Sequence, residues 1–172
     1  DMVLPSVFVQ TDHPALSLLG SQFAGWQIKG EDYSAIASGP ARALALKPKD
    51  LYLKLNHKEE SDKAVLVLET EKAPPEPVIQ QIALKCNVLP KNLFIVMFST
   101  TSLSGVTQVS GRVVETGLHK LERLGLDPLM VKHAWGYAPI VPVHPNAGEA
   151  MGRTNDAILY GGRVHLSVRG SD

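Results

Sequence analysis

The sequence predicts an α/β (α+β) fold built on a mixed sheet, and three observations carry that prediction. Two short apolar runs, "AVLVLE" from Ala64 and "NLFIVMF" from Asn92, flank a segment of helical periodicity. That pattern is a βαβ unit, with parallel strands and a right-handed crossover. Turn residues divide the strand-like segments elsewhere into hairpins. The 172 residues, 44% of them hydrophobic, suffice for a core in one compact domain or in two small lobes.

In chain order, Phe23–Lys29 and Tyr33–Ser38 read as strands joined through Gly30-Glu31-Asp32. "SGPARALAL" opens a helix, with Pro40 suited to its first position and Ser38 or Gly39 near the cap. A charged loop, "NHKEESDK", leads into the first apolar strand. Within "PPEPVIQQIALKCNV", Val78, Ile82 and Cys86 fall on one helical face, and "NLFIVMF" then reads as a second buried strand. The next helix runs from about Ser110 to Leu124, with Val114, Leu118 and Leu121 as its apolar stripe and Gly125 as its stop. "YAPIVPVHPN" is too proline-rich for a central strand and reads as an extended edge or a surface loop. "AILYGGRVHLSV" closes the chain as two strands around Gly161-Gly162.

Composition narrows the function classes. The formal net charge is +0 and no Lys/Arg-rich run occurs, so there is no electrostatic footprint for nucleic acid. No apolar run reaches the ~20 residues that span a bilayer and no signal-peptide pattern opens the chain, so no membrane partner is expected. The one cysteine, Cys86, cannot form an internal disulfide and reads as a buried thiol, which favours a reducing, cytoplasmic setting. Neither Asp1 nor Asp172 looks like a natural terminus, and an internal fragment of a longer chain is expected.

One stretch breaks a local rule. In "STTSLSGVTQVSGRVVETGLHKLERLG", Arg112 stands at the positive end of the expected helix, where a cation is disfavoured. Arg112, Glu115, His119 and Glu122 share one face. A solvated i,i+3 pair, worth about 0.2–0.5 kcal/mol, is the plain account of Arg112 and Glu115. Against it, the pair follows a strand through a Ser/Thr/Gly loop, beyond the carboxyl end where α/β sheets place ligands. Ser99, Thr100, Thr101, Ser102 and Ser104 add hydroxyls beside it. "SGPARAL", with Arg42, is either an ordinary Pro-initiated helix or an anion site at a helix start. "GRTNDA" packs Arg153, Asn155 and Asp156 into four residues, as a capped loop or as a ring of donors and acceptors. His119, His133, His144 and His165 occur singly, so no metal site is expected. No GxGxxG, P-loop or G-x-S-x-G motif occurs. An enzyme built from this chain would work through arginine plus carboxylate.

The segments "SGPARAL", "QVSGRVVETGLHKLE" and "APIVPVHPNAGEAMGRTNDAILYGGR", and more loosely "FAGWQIK" with "DYSAIASGP", resemble the methenyltetrahydromethanopterin cyclohydrolases. They run from Phe23 to Arg163 and so cover nearly the whole chain. The resemblance implies reversible hydrolysis of 5,10-methenyltetrahydromethanopterin to 5-formyltetrahydromethanopterin, within the one-carbon metabolism of methanogenesis or methylotrophy. It implies no metal and no prosthetic group, with a tetrahydromethanopterin derivative as the C1-carrier substrate. It assigns catalysis to Arg112 and Glu115. It further implies two α/β lobes with the pocket between them, and a homotrimer. Residues 1–172 would then be a partial cyclohydrolase domain spanning parts of two lobes, divided near 56–64, in a family chain that extends beyond both ends. Arg42, Ser102, Arg153, Asn155 and Asp156 are assigned to the pterin and its polar tail, on polarity and loop position.

The chemistry of such a pair is straightforward. The methenyl carbon belongs to a delocalised amidinium cation and is already electrophilic, so what the reaction lacks is a hydroxide equivalent. Glu115 would deprotonate a bound water and return the proton to a ring nitrogen as the carbinolamine opens. Arg112 would favour the ionised carboxylate and hold the water or the developing oxygen. A non-catalytic pterin- or nucleotide-binding module is the alternative, which loss of either residue would favour. A structural subunit of a complex is a third reading and would need large exposed apolar patches.

Overall fold

A computed structural model describes residues 3–170. Its strands are β1 (Ser6–Thr11), β2 (Trp26–Lys29), β3 (Ser34–Ser38), β4 (Ala64–Glu69), β5 (Leu93–Phe98), β6 (Val131–Pro139) and β7 (Arg163–Val168). Its α-helices are α1 (Ala41–Ala45), α2 (Lys49–Leu55), α3 (Glu76–Cys86), α4 (Leu103–Ser110), α5 (Val113–Arg123) and α6 (Ala147–Gly161), with a wider helical segment over Ala15–Gln22. The fold is mixed α/β, as expected. It divides into two compact units: Gly20–Phe98, and the residues up to Leu19 together with those from Ser99 onward. The charged segment 56–64 lies inside the first of these.

The Gly20–Phe98 unit is a four-stranded sheet in the order β2-β3-β4-β5. β2 and β3 form the expected antiparallel hairpin, with Trp26 opposite Ala37. β3 and β4 are antiparallel, whereas β4 and β5 are parallel, with Ala64 opposite Leu93. Strand alternation turns Trp26, Ile28, Ala35, Ala37, Leu66 and Leu68 to one face. There they form a core with Ala41 of α1 and with Val78, Ile82 and Cys86 of α3. Asn87, in the left-handed conformation at φ 55°, ends α3. Cys86 is buried, and burial pushes its thiol up to about 11. The other face carries Ile36, Val65, Phe94 and Val96, exposed by 53%, 39%, 52% and 52%. The expectation that β5 is buried is therefore corrected: only its α3-facing side is covered among the described residues.

The second unit holds a three-stranded antiparallel sheet, β1-β6-β7. α4, α5 and α6 pack on one of its faces. Val113, Val114 and Leu118 bury the apolar side of α5, each fully buried side chain contributing about 1.5–3 kcal/mol. The opposite face carries a row of rings, with Trp135 stacked between Phe8 and His165 at centroid distances of 6.1 and 5.3 Å.

Several expectations are overturned in this unit. β6 is the central strand and includes Tyr137–Pro139, because Pro139 stands at its last position and the other prolines follow its end. "AILYGG" is not a strand but the last turns of α6. Its glycines serve close packing rather than a hairpin turn. Gly162 has an ordinary φ of −79°, and a Cβ there would stand 2.3 Å from the Ile158 carbonyl oxygen and 2.8 Å from Val113 Cγ2. The helix placed at Ser110–Leu124 begins at Val113 and is preceded by α4, which occupies most of the supposed loop.

Candidate functional site

The segment after β5 turns back on itself through its hydroxyls. Ser102 Oγ accepts from the Gly105 amide at 3.0 Å, capping α4, and donates to the Ser99 carbonyl at 2.6 Å. Ser99 Oγ in turn accepts from the Thr101 amide at 3.1 Å and lies 2.7 Å from Thr101 Oγ1. The turn is tight enough to require glycine at position 105, where a Cβ would lie 2.0 Å from the Ser99 carbonyl oxygen. α4 buries Gly105, Val106, Val109 and Ser110, and Ser110 Oγ donates to the Pro139 carbonyl at 3.0 Å.

α4 and α5 are separated by two residues only. Gly111 has φ −64° and ψ −10°, and Arg112 has φ −84° and ψ 4°, in the sparsely populated bridge region. The Arg112 amide donates back to the Val109 carbonyl at 3.0 Å, while its own carbonyl accepts from the Thr116 amide at 2.8 Å. Arg112 thus stands after the negative end of one helix and before the positive end of the next. Arg112 does stand at the positive end of α5, as the sequence implies, but the negative end of α4 directly before it offsets part of that cost. Arg112 Nε donates to Gln108 Oε1, one turn back, at 3.1 Å.

Glu115 lies in the first turn of α5 and is only 5% exposed. The half-positive helix end attracts its carboxylate. One turn on, His119 is held below its usual pKa by burial, with Arg123 pushing the same way and Glu122 opposing.

Arg153, Asn155 and Asp156 stand on α6, not on the loop that their composition implied. Asn146 Oδ1 caps this helix by accepting from the Glu149 amide at 3.0 Å. Ala150, Thr154, Ala157 and Ile158 form its buried side, which leaves Arg153, Asn155 and Asp156 exposed. Arg153 Nε is 4.0 Å from Glu149 Oε2, a solvated pair worth well under about 1 kcal/mol. α4 packs against α6, so Ser102, Arg112, Glu115, Arg153, Asn155 and Asp156 all belong to one unit.

Arg42 belongs to the other unit and is fully buried. Its Nε donates to the Lys47 carbonyl at 2.8 Å, and Nη1 donates to the carbonyls of Phe23, Ser21 and Gly20 at 2.5, 3.3 and 3.4 Å. The guanidinium also lies 5.3 Å from the Phe23 ring centre and 5.8 Å from that of Tyr52. Tyr52 OH donates to the Gly20 carbonyl, and burial raises its pKa to about 12.

Sequence reasoning missed Gln108. Its signal is the i−4 spacing from Arg112, which has meaning only once α4 is known to be a helix. Among the described residues no group of three or more His, Cys, Asp or Glu is placed to hold a metal ion, and no helix is long and apolar enough to cross a membrane.

The profile of the family described as "Cyclohydrolase (MCH)" matches residues 1–172. The methenyltetrahydromethanopterin cyclohydrolase of Methanothermobacter marburgensis is 49% identical over 170 residues, covering 98% of this chain and 53% of the relative. That of Methanococcoides burtonii is 46% identical over 167 residues, covering 97% and 52% respectively. The Methanococcus maripaludis protein of the same name is 44% identical over 172 residues, covering 99% and 53%. The chain spans about half the length of the curated relatives it matches.

Proposed function

The chain belongs to the cyclohydrolase (MCH) family, and from that premise we propose that it carries the catalytic pair of a methenyltetrahydromethanopterin cyclohydrolase. The reaction is the reversible hydrolysis of the 5,10-methenyl cation to the 5-formyl compound. One observation carries the reading: a carboxylate that is 5% exposed, Glu115, stands three residues after an arginine at the break between two helices. A buried carboxylate without a role is a poor choice for stability alone.

In this reading Glu115 takes a proton from water as the water oxygen bonds to the methenyl carbon, giving a neutral carbinolamine. The C–N bond to one ring nitrogen then breaks, and that nitrogen receives the proton from Glu115. The second hydroxyl proton leaves for solvent as the formyl C=O forms. Arg112 holds the water and stabilises the developing oxygen. Ser102, Arg153, Asn155 and Asp156 are the residues of the same unit assigned to the pterin and its polar tail. Arg42 is assigned with them on polarity and loop position, and within its own unit it organises the backbone of residues 20–23 and 47. A homotrimer and a cytoplasmic setting complete the proposal, from the family resemblance and the single buried cysteine.

The test follows loss of the methenyl cation absorbance with the intact protein. Glu115→Gln should lower kcat by about 10²–10⁴-fold while substrate still binds. A variant that keeps most of its turnover removes Glu115 from the mechanism. Binding by the unmodified protein without any decay would leave a pterin-binding module instead.

A further inference from the structure

Gln108 presents an unusual pair of amide atoms. Its Oε1 accepts from Arg112 Nε at 3.1 Å. The assignment of the two amide atoms is fixed chemically, because a guanidinium only donates and the atom facing it must be the oxygen. The NH₂ group is thereby turned the other way, where it is buried and has no hydrogen-bond partner among the described residues. A buried donor left unmade weakens the fold, and natural proteins hold few of them. An apolar side chain of the same size would remove that burden at once.

The backbone beside it is also specialised. Arg112 occupies the bridge region at the joint between two helices, outside both α4 and α5. Gln108 is on the preceding helix, α4, whose start is pinned by Ser102 and whose inner side is buried. The amide therefore ties a side chain at a joint to a rigid element, one turn away.

We infer that Gln108 is a positioning residue that fixes the guanidinium of Arg112 in the orientation used for catalysis, at the expense of its own stranded N–H. This rests on the reading of Arg112 and Glu115 as the catalytic pair. Misplacement of such a group by about 1 Å costs up to roughly a hundredfold in rate.

The experiment compares Gln108→Met with Gln108→Glu in the intact protein, with Arg112→Ala and Glu115→Gln alongside. Methionine keeps the length but offers no oxygen, whereas glutamate keeps an acceptor for Arg112 Nε. Gln108→Met should lower kcat by about ten- to a hundredfold with little change in KM, and its melting temperature should not fall. Gln108→Glu should recover a large part of that loss. A merely structural glutamine would instead lower the melting temperature without this rescue. Unchanged kcat in Gln108→Met, or equal losses in both variants, overturns the inference. If Arg112→Ala and Glu115→Gln keep their turnover, the catalytic reading itself has failed, independently of Gln108.

Discussion

Arg42 meets Phe23 twice, donating from Nη1 to its carbonyl at 2.5 Å and lying 5.3 Å from its ring centre. A fully buried guanidinium that also reaches Lys47, Ser21 and Gly20 holds together backbone from two separate stretches. Its planar fork cannot be matched by a lysine ammonium, which would leave carbonyls unpaired. Arg42→Lys should therefore destabilise the protein by about 2–3 kcal/mol in urea unfolding. An unchanged midpoint combined with a raised KM would instead make Arg42 a substrate ligand.

His119 gives a pH dependence of definite sign. Its folded pKa lies below the ordinary 6.5, so between the two values the unfolded chain binds more protons than the folded one. Its contribution to stability is present above pH 6.5 and is lost as pH falls through the folded pKa. His119→Gln should flatten the decline in stability between pH 7 and 5, read from urea midpoints at several pH values. If the decline keeps its slope in the variant, other groups produce it.

The end of α6 depends on a missing side chain. Gly162→Ala places a methyl against the Ile158 carbonyl and Val113, neither of which is a flexible side-chain end. The loss should be about 1–3 kcal/mol or more, since backbone must move. Gly152, in the interior of the same helix, has nothing within 4 Å of the corresponding position. Gly152→Ala should stabilise the protein by roughly 0.5–1 kcal/mol. Melting temperatures that move in the same direction for both variants would contradict this account.

The β2–β3 hairpin and the β4–α3–β5 unit were legible because their signals are local: turn residues between strands, and Val78, Ile82 and Cys86 at helical spacing. α4 was hidden by its composition. Ser, Thr and Gly are weak helix formers, and the helix rests on the burial of Val106 and Val109 and on the Ser102 cap. α6 is masked in the sequence by the polarity of Arg153, Asn155 and Asp156, although Ala150, Thr154, Ala157 and Ile158 mark a helical face. Gly161-Gly162 has two structural uses, and sequence does not distinguish a turn from a close approach. The apolar run of β5 shows what the strand is suited to bury, not which segment covers it. In the candidate site, Arg112 and Glu115 stand out in the sequence since both lie in one short stretch. Gln108 does not, because its bond to Arg112 depends on α4, which the composition conceals.

The β1–β6 pairing bears on the order of events during synthesis. Thr11 pairs with Ala134, so 134 − 11 = 123 residues separate the two partners. At about 5–20 residues per second, β1 leaves the ribosome roughly 6–25 s before its neighbour exists. The whole of the Gly20–Phe98 unit is made within that interval, with all four of its strands available to pair. β1 is thus completed only after the Gly20–Phe98 unit has been made, and its unpaired edge must be kept from other nascent chains until then.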